Sequence, residues 1–514
     1  MSSTSNSLII KNTGYLYIRM FILTLVKLYT SRVVLQVLGI NDFGVWSAIT
    51  TFILSFNFIS TPLIGSIQRF LNYEMGCGGK RLKEIWGTSF YIIIFICLII
   101  FLLLETFGVW FLANKMHFGD TSLHIVNIVY QLSVISVIIC IIRLPFEAAV
   151  ISYEKFSVYS IFSVIETFLL LGIAFLLKAD MSINHLVLYG ILYSVTQLIT
   201  FILYFSYSKK LNCIYFPRKV NKEFVKEIVQ YSGWNFVGAV GSISASSGLN
   251  ILLNMFFGVV VNAAYTITMQ VSNAISQLSN NLMTALTPQI TKKYAEGNLN
   301  RVTDLSINGC KYSFLLLLFP ILPMWYNMGY ILTLWLGNNV PANSILFCRV
   351  YFIYLLIASF ATPLTTVILA SPNIRNYQIV LFPIVLSNIL LSYIFLKLGA
   401  KAQIVFYIKI FVEFVILGYR LYFLKKKISF PIKKFIKETI KPILLVLIVV
   451  FLFYWIYDYY NSHVDTSDIT TLLLSTCLYV MIYLPMCWFI VLSADSRNKI
   501  ISFIRTHIKK ERCQ

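Results

Sequence analysis

Fourteen long apolar stretches separated by short polar ones set the pattern of this chain. A helix that crosses a membrane needs about 20 apolar residues. By that rule the spans are 12–38, 44–66, 87–112, 122–142, 155–177, 184–206, 231–257, 262–286, 311–336, 344–370, 376–397, 402–424, 441–459 and 469–492. The expected fold is an all-α polytopic membrane protein. Two short segments repeat: QRFLNYEMG at 68–76 and QITKKYAEG at 289–297 both read Q-x4-Y-x2-G. They follow the second and the eighth span, six crossings apart. An even number of crossings keeps two copies in the same orientation, so the repeat is expected to be parallel about an axis along the membrane normal. The expected layout is a six-helix lobe at 1–206, a basic linker at 207–230 and a second six-helix lobe at 231–424. A second basic linker at 425–441 and two extra helices with a basic tail at 442–514 complete it.

Composition agrees with that class. The chain is 58% hydrophobic and 12% charged, against about 25% charged in soluble domains. A net charge of +21 by itself suggests nucleic acid, but the distribution of Lys and Arg argues otherwise. With the N-terminus inside, 32 of the 41 cations fall on the inner side and only Lys115, Lys178, Lys397 and Lys401 on the outer. That asymmetry predicts both termini in the cytoplasm. The basic loops then sit beside anionic lipid headgroups, and no nucleic acid is expected. The N-terminus lacks a cleavable signal pattern, so the first span is expected to act as the insertion signal.

Enzyme motifs are missing. Gly76-Cys77-Gly78-Gly79-Lys80 has the wrong spacing for a phosphate loop, and there is no H-E-x-x-H or C-x-x-C. The five histidines fall mostly near span ends, and the nine cysteines are scattered as small apolar residues. No metal, no cofactor and no catalytic residue is expected. The outer loops are short, which disfavours a glycan polymerase or ligase.

Charges inside the spans are the chemical signal. A charge at the bilayer centre costs about 2.5–3.5 kcal/mol on insertion scales. The first span carries Arg19, Lys27 and Arg32. Lys27 lies about 80° around the helix from Arg19 and Arg32 about 140° from Lys27. Lys27 is near mid-membrane and reads as a cavity residue. Arg19 and Arg32, nearer the ends, either face the cavity or snorkel to headgroups. The seventh span carries Asn235, Asn250 and Asn254 among several serines; the eighth carries Gln270, Asn273, Gln277 and Asn281 on one helical face. Those amides either bond between helices or line a hydrated cavity suited to sugar hydroxyls. Lys409 and Glu413, at i and i+4, are expected to pair. Glu166 has no partner nearby in sequence and is expected to balance Lys27 or Arg19, or to take a coupling proton.

Three segments carry a family resemblance: YTSRVVLQVLGINDFG at 29–44, QRFLN at 68–72 and RLPFEAAVISYEK at 143–155. They resemble the Wzx-type O-antigen and capsule flippases of the multidrug/oligosaccharidyl-lipid/polysaccharide (MOP) superfamily. The resemblance implies two six-helix lobes around a central cavity in the bacterial inner membrane. It implies a cargo of undecaprenyl-pyrophosphate-linked oligosaccharide, moved by alternating access, with proton or sodium coupling. It also implies polysaccharide polymerase and chain-length proteins as partners. The pyrophosphate would meet Arg19 and Lys27, since Arg binds phosphate through paired bonds and Lys as a point charge. A multidrug/cation antiporter of the same superfamily is the alternative, although such proteins favour acidic cavities.

Overall fold

A computed structural model describes residues 12–27, scattered positions between 29 and 49, then 60–115, 122–177, 184–217, 222–336, 340–461 and 469–491. Among the described residues the secondary structure is helical, with no strand. The first helix, α1, covers 12–27. The rest of the first half is α2 (Ser60–Gly76), α3 (Leu82–Phe111), α4 (Leu123–Ser152), α5 (Phe156–Leu176) and α6 (His185–Ser208). The second half is α7 (Lys222–Gly258), α8 (259–295), α9 (Leu299–Tyr326), α10 (Met328–Leu336), α11 (Ser344–Ala370), α12 (Arg375–Lys397) and α13 (Ile404–Ile428). Two further helices follow, α14 (Lys441–Asn461) and α15 (Ile469–Met486). Nine helices among the described residues are long and apolar enough to cross a membrane. The chain is a multi-pass membrane protein.

Local sequence explains where several helices end differently from expectation. The 143–155 segment is not a loop: α4 runs through Pro145 to Ser152. Pro145 removes one backbone donor, but Phe146, Ala148, Ala149, Val150 and Ile151 are all buried, and that packing carries the helix onward. The expected span 311–336 is instead two helices. α9 begins early, at Leu299, because its first turns are buried on several sides through Val302, Leu305 and Ile307. It stops at Asn327, whose side-chain amide donates to Pro323 O at 3.0 Å. Between α7 and α8 the chain turns at Gly258, with φ +76° and ψ −168°, a conformation open to glycine alone. The return brings Tyr265 OH to Ser246 O at 3.2 Å.

Buried side chains gather in separate clusters for the two halves. One runs from Val33 to Tyr231 and takes in Ile374; another spans Leu282 to Tyr483. The two extra helices belong to the second. Tyr326 and Tyr454 stack at 3.6 Å, and Tyr479 and Tyr483 donate to Leu318 O and Leu315 O at 3.3 and 2.7 Å. α14 and α15 are thereby fastened to α9 by tyrosines that are apolar in body and polar only at the tip.

The halves meet along a seam built from small and amide residues. Asn235 of α7 donates to Pro62 O at 3.2 Å. Tyr17 of α1 donates to Leu278 O at 2.7 Å, and the Asn281 amide rests on Met20. The two Q-x4-Y-x2-G segments lie on this seam, but their glycines do different work. A Cβ on Gly76 would sit 2.3 Å from Lys292 O, so Gly76 permits a close approach of α2 to α8. Gly297, at φ +74°, instead ends α8, with Asn298 N–H bonded to Lys293 O at 3.0 Å. In the first segment Gly78, at φ +106°, does that work.

Candidate functional site

α1 positions the two cations of the first span that lie within the described residues. Arg19 is half-buried and donates to Tyr159 OH at 3.2 Å, with its guanidinium 4.4 Å from the centre of that ring. Ser160 Oγ of the same neighbour, α5, donates to Tyr15 O at 3.3 Å and fixes the α1–α5 contact. Lys27, two turns further on, is exposed and bonds to no described residue. Arg32 lies outside the described residues.

Glu166 does not balance Lys27 or Arg19 by an ion pair. Its carboxylate pairs with Arg143 at 3.3 Å and accepts from Gln197 at 3.3 Å. Arg143 also reaches Glu147 at 3.7 Å. Two acids and one Arg thus form a cluster on α4, α5 and α6. Glu147 acts on Arg19 electrostatically, but Arg143 already holds it. Removing the Arg strands two buried carboxylates, and the intact group carries one net negative charge, which Arg19 meets electrostatically at Glu147. Counting Arg143 as a loop residue hid this. The signal was available: Arg143 and Glu147 stand at i and i+4 within RLPFE, a pair that a continuing helix puts on one face.

The second half has its own charged group. Lys409 and Glu413 do not form the expected pair. Lys409 Nζ donates to Tyr351 OH at 3.2 Å and lies 4.9 and 4.6 Å from the ring centres of Tyr351 and Tyr354. Glu413 accepts from Arg420 at 2.8 Å, and Arg420 also donates to Tyr377 OH at 3.2 Å. A planar guanidinium two turns along α13 meets the carboxylate better than the ammonium one turn away, which aromatic faces draw aside. All three charged residues line a cavity of about 280 Å³ with Ser242, Ser246, Tyr354, Thr362 and Asn388. Arg420 falls within the expected span 402–424 and lies inside α13.

The predicted amides divide. Asn281 is buried on the seam, while Gln270, Asn273, Gln277 and Asn254 are exposed and Asn250 is half-buried. Interhelical bonding is therefore not the role of those exposed amides within the described residues. They stand on α7 and α8 outside the packed core, free to meet solvent or a ligand.

A third constellation sits where α2 and α8 end. Glu154 accepts from Lys292 at 2.7 Å and from Gln289, joining α4 to α8. Arg69 is buried among the rings of Phe70, Tyr73 and Tyr231, 4.6–4.9 Å from their centres, and donates to Ala370 O at 3.4 Å. The QRFLN and SYEK segments thus supply contacts of the joint between the halves.

No protein-family model and no curated protein sequence matches the chain. Solved structures do match. A MATE transporter in its straight conformation aligns with a TM-score of 0.71 at 13% identity, over 83% of this chain and 96% of that one. An outward-facing multidrug resistance MATE transporter of the MOP superfamily aligns at 0.69, with 12% identity over 83% and 96%. A MOP superfamily transporter from Pyrococcus furiosus, described as having a binding pocket of reversed polarity, aligns at 0.66, with 13% identity over 82% and 96%. The chain therefore has the fold of the MATE-type transporters of the MOP superfamily.

Proposed function

We propose that the chain is a flippase, which carries undecaprenyl-pyrophosphate-linked oligosaccharide across the bacterial inner membrane by alternating access of its two halves. The observation that supports this reading is where the uncompensated charge lies. Arg143 and Arg420 each have a carboxylate, but among the described residues Arg19 bonds to a tyrosine and Lys27 to none. A helix with two such cations is suited to an anion that arrives and leaves, and a pyrophosphate is one. The exposed amides of α7 and α8 suit the sugar hydroxyls. A multidrug/cation antiporter shares the fold, but it needs a free acid. Here Glu413 is held by Arg420, Glu147 and Glu166 share Arg143, and Glu105 accepts from Gln131.

The test is reconstitution into liposomes with lipid-linked oligosaccharide, reading sugar accessibility from each side. Flipping faster than in empty liposomes is expected. Lys27→Ala and Arg19→Ala are each expected to slow it about tenfold or more, the worth of a hydrogen bond to a charged group. Equal rates with and without protein would overturn the proposal. Unchanged rates in both variants would remove the cationic site from it.

A further inference from the structure

The cavity in the second half is chemically one-sided. Lys409 lines it and spends one N–H on Tyr351 OH, and among the described residues its other two N–H groups make no hydrogen bond. Arg420 and Glu413 are already paired, so the charged lining carries one net positive charge. Several of the other polar groups offer acceptors, as sugar hydroxyls, which both donate and accept, require. Asn388 is 5% exposed, and its side-chain oxygen has no hydrogen-bond partner among the described residues. Ser242 and Ser246 donate their protons to Gly238 O and Ile243 O, at 3.1 and 2.9 Å, so only their lone pairs remain. A buried amide oxygen left unbonded costs about 1–3 kcal/mol.

A ligand matching this lining has one anionic group for Lys409 and several hydroxyl donors for Asn388 and the serines. Chloride lacks the donors, and a neutral sugar lacks the anion. An inorganic cation is opposed by the fixed positive charge. At about 280 Å³ the cavity is slightly smaller than the range of about 300–1,000 Å³ for drug-sized ligands. That volume suits one sugar ring and not a chain. We propose that this cavity is a binding site for the carboxylate-bearing ring of an acidic sugar, a hexuronate or its like. The site stands on its own geometry. Its use as a subsite for the carried oligosaccharide, which would then contain an acidic sugar, rests on the flippase reading.

The experiment uses the purified full chain in detergent, with sodium glucuronate as the probe. Glucose and sodium chloride at matched concentration and ionic strength are the controls. Thermal unfolding is followed as each is titrated. Glucuronate is expected to raise the midpoint saturably, and glucose and chloride are not. Lys409→Met is expected to weaken the glucuronate effect about tenfold or more. Asn388→Leu, which removes a neutral amide and no charge, is expected to weaken it less while leaving the unliganded protein folded. Should Lys409→Met fail to fold, Asn388→Leu and Ser246→Ala carry the comparison. An equal response to chloride overturns the sugar assignment. No response to glucuronate, or the same response in the folded variants, overturns the site. Binding in detergent needs no transport, so failure here is distinguishable from failure of the liposome assay.

Discussion

Glu154 occupies a position where glycine would be expected, and replacing it separates two effects. α4 closes with Lys155 N–H on Val150 O at 3.0 Å and Glu154 N–H on Ile151 O at 2.9 Å. That bonding pattern puts residue 154 in the left-handed region, and its φ is 59°. A side chain there costs about 1–2 kcal/mol. The compensation is the bond to Lys292 across the seam, with the two side chains 11% and 20% exposed. Such a pair lies between the surface case, about 0–1 kcal/mol, and the buried case, where losing one partner costs about 3–5. About 2 kcal/mol is a fair middle value, and it acts only while the two halves are closed at this end. Glu154→Gly relieves the backbone in every state and removes the pair in one. Glu154→Gln keeps the shape and the backbone cost and loses the charge. Both variants are expected to shift the open-to-closed ratio about thirtyfold toward open, since 1.4 kcal/mol is a factor of ten. Cys77 reports it. Its sulfur lies 3.8 Å from Ala295 O, so Ala295→Cys, with the other native cysteines replaced, gives a crosslink across the seam. The rate of oxidative crosslinking in membranes is the assay. A slower rate in both variants is expected, and Glu154→Gly alone is expected to gain thermal stability relative to Glu154→Gln. Equal crosslinking in wild type and both variants refutes the assignment of this pair to the closed seam.

Two other outcomes follow from named contacts. Arg143→Ala leaves Glu147 and Glu166 without their shared cation and is expected to destabilise the protein by about 3–5 kcal/mol, read as loss of detergent-soluble monodisperse protein; adding Glu147→Gln and Glu166→Gln in the same chain is expected to restore much of the loss. Among the cysteines, burial pushes the Cys213 thiol up to about 12, whereas Cys77 is exposed. The thiolate is the reacting form. Maleimide at pH 8 is therefore expected to label Cys77 and spare Cys213, as read by mass spectrometry of the folded protein, and labelling of Cys213 at a comparable rate would contradict its burial.

What the sequence discloses here depends on whether the physics is periodic or pairwise. Spans are periodic: each rests on a sum over many apolar residues, so α3, α5, α6, α11 and α12 lie close to where the pattern puts them. Single residues at helix ends are decided by a few competing contacts. Pro145 and the polar run after Leu299 read as loop, yet buried Phe146 and Val302 outvote them. Ion pairing is harder still, because it joins residues far apart in the chain. The i, i+4 spacing of Lys409 and Glu413 is suggestive, but spacing does not include Tyr351 and Tyr354 on α11, which hold the ammonium elsewhere. The partners of Glu154 lie 135 and 138 residues away, beyond any local pattern. The two Q-x4-Y-x2-G segments both lie on the seam, but Gly76 and Gly297 are there for different reasons, which the match conceals.

The placement of charge also bears on how the two halves can move. A helix interface that must open cannot rest on buried charges that opening would strand, because each would be exposed to the full desolvation cost. The clusters around Arg143 and Arg420 obey this: each is completed by helices of its own half, and neither depends on the seam. What crosses the seam is cheaper to break. Asn235, Tyr17 and Asn281 make neutral contacts, and Glu154–Lys292 lies at the end of the bundle, where water can reach both partners once they part. Arg69 is the exception, since it is 6% exposed and its partners are rings and one carbonyl, Ala370 O, of the second half. Its rings are shared: Phe70 and Tyr73 come from α2 itself, and only Tyr231 belongs to α7. Separation of the halves would therefore leave the guanidinium two of its three aromatic faces. A charge that carries most of its solvation with it can cross from a closed seam to an open one at modest cost, and that makes α2 with Arg69 a moving part that needs no acid partner.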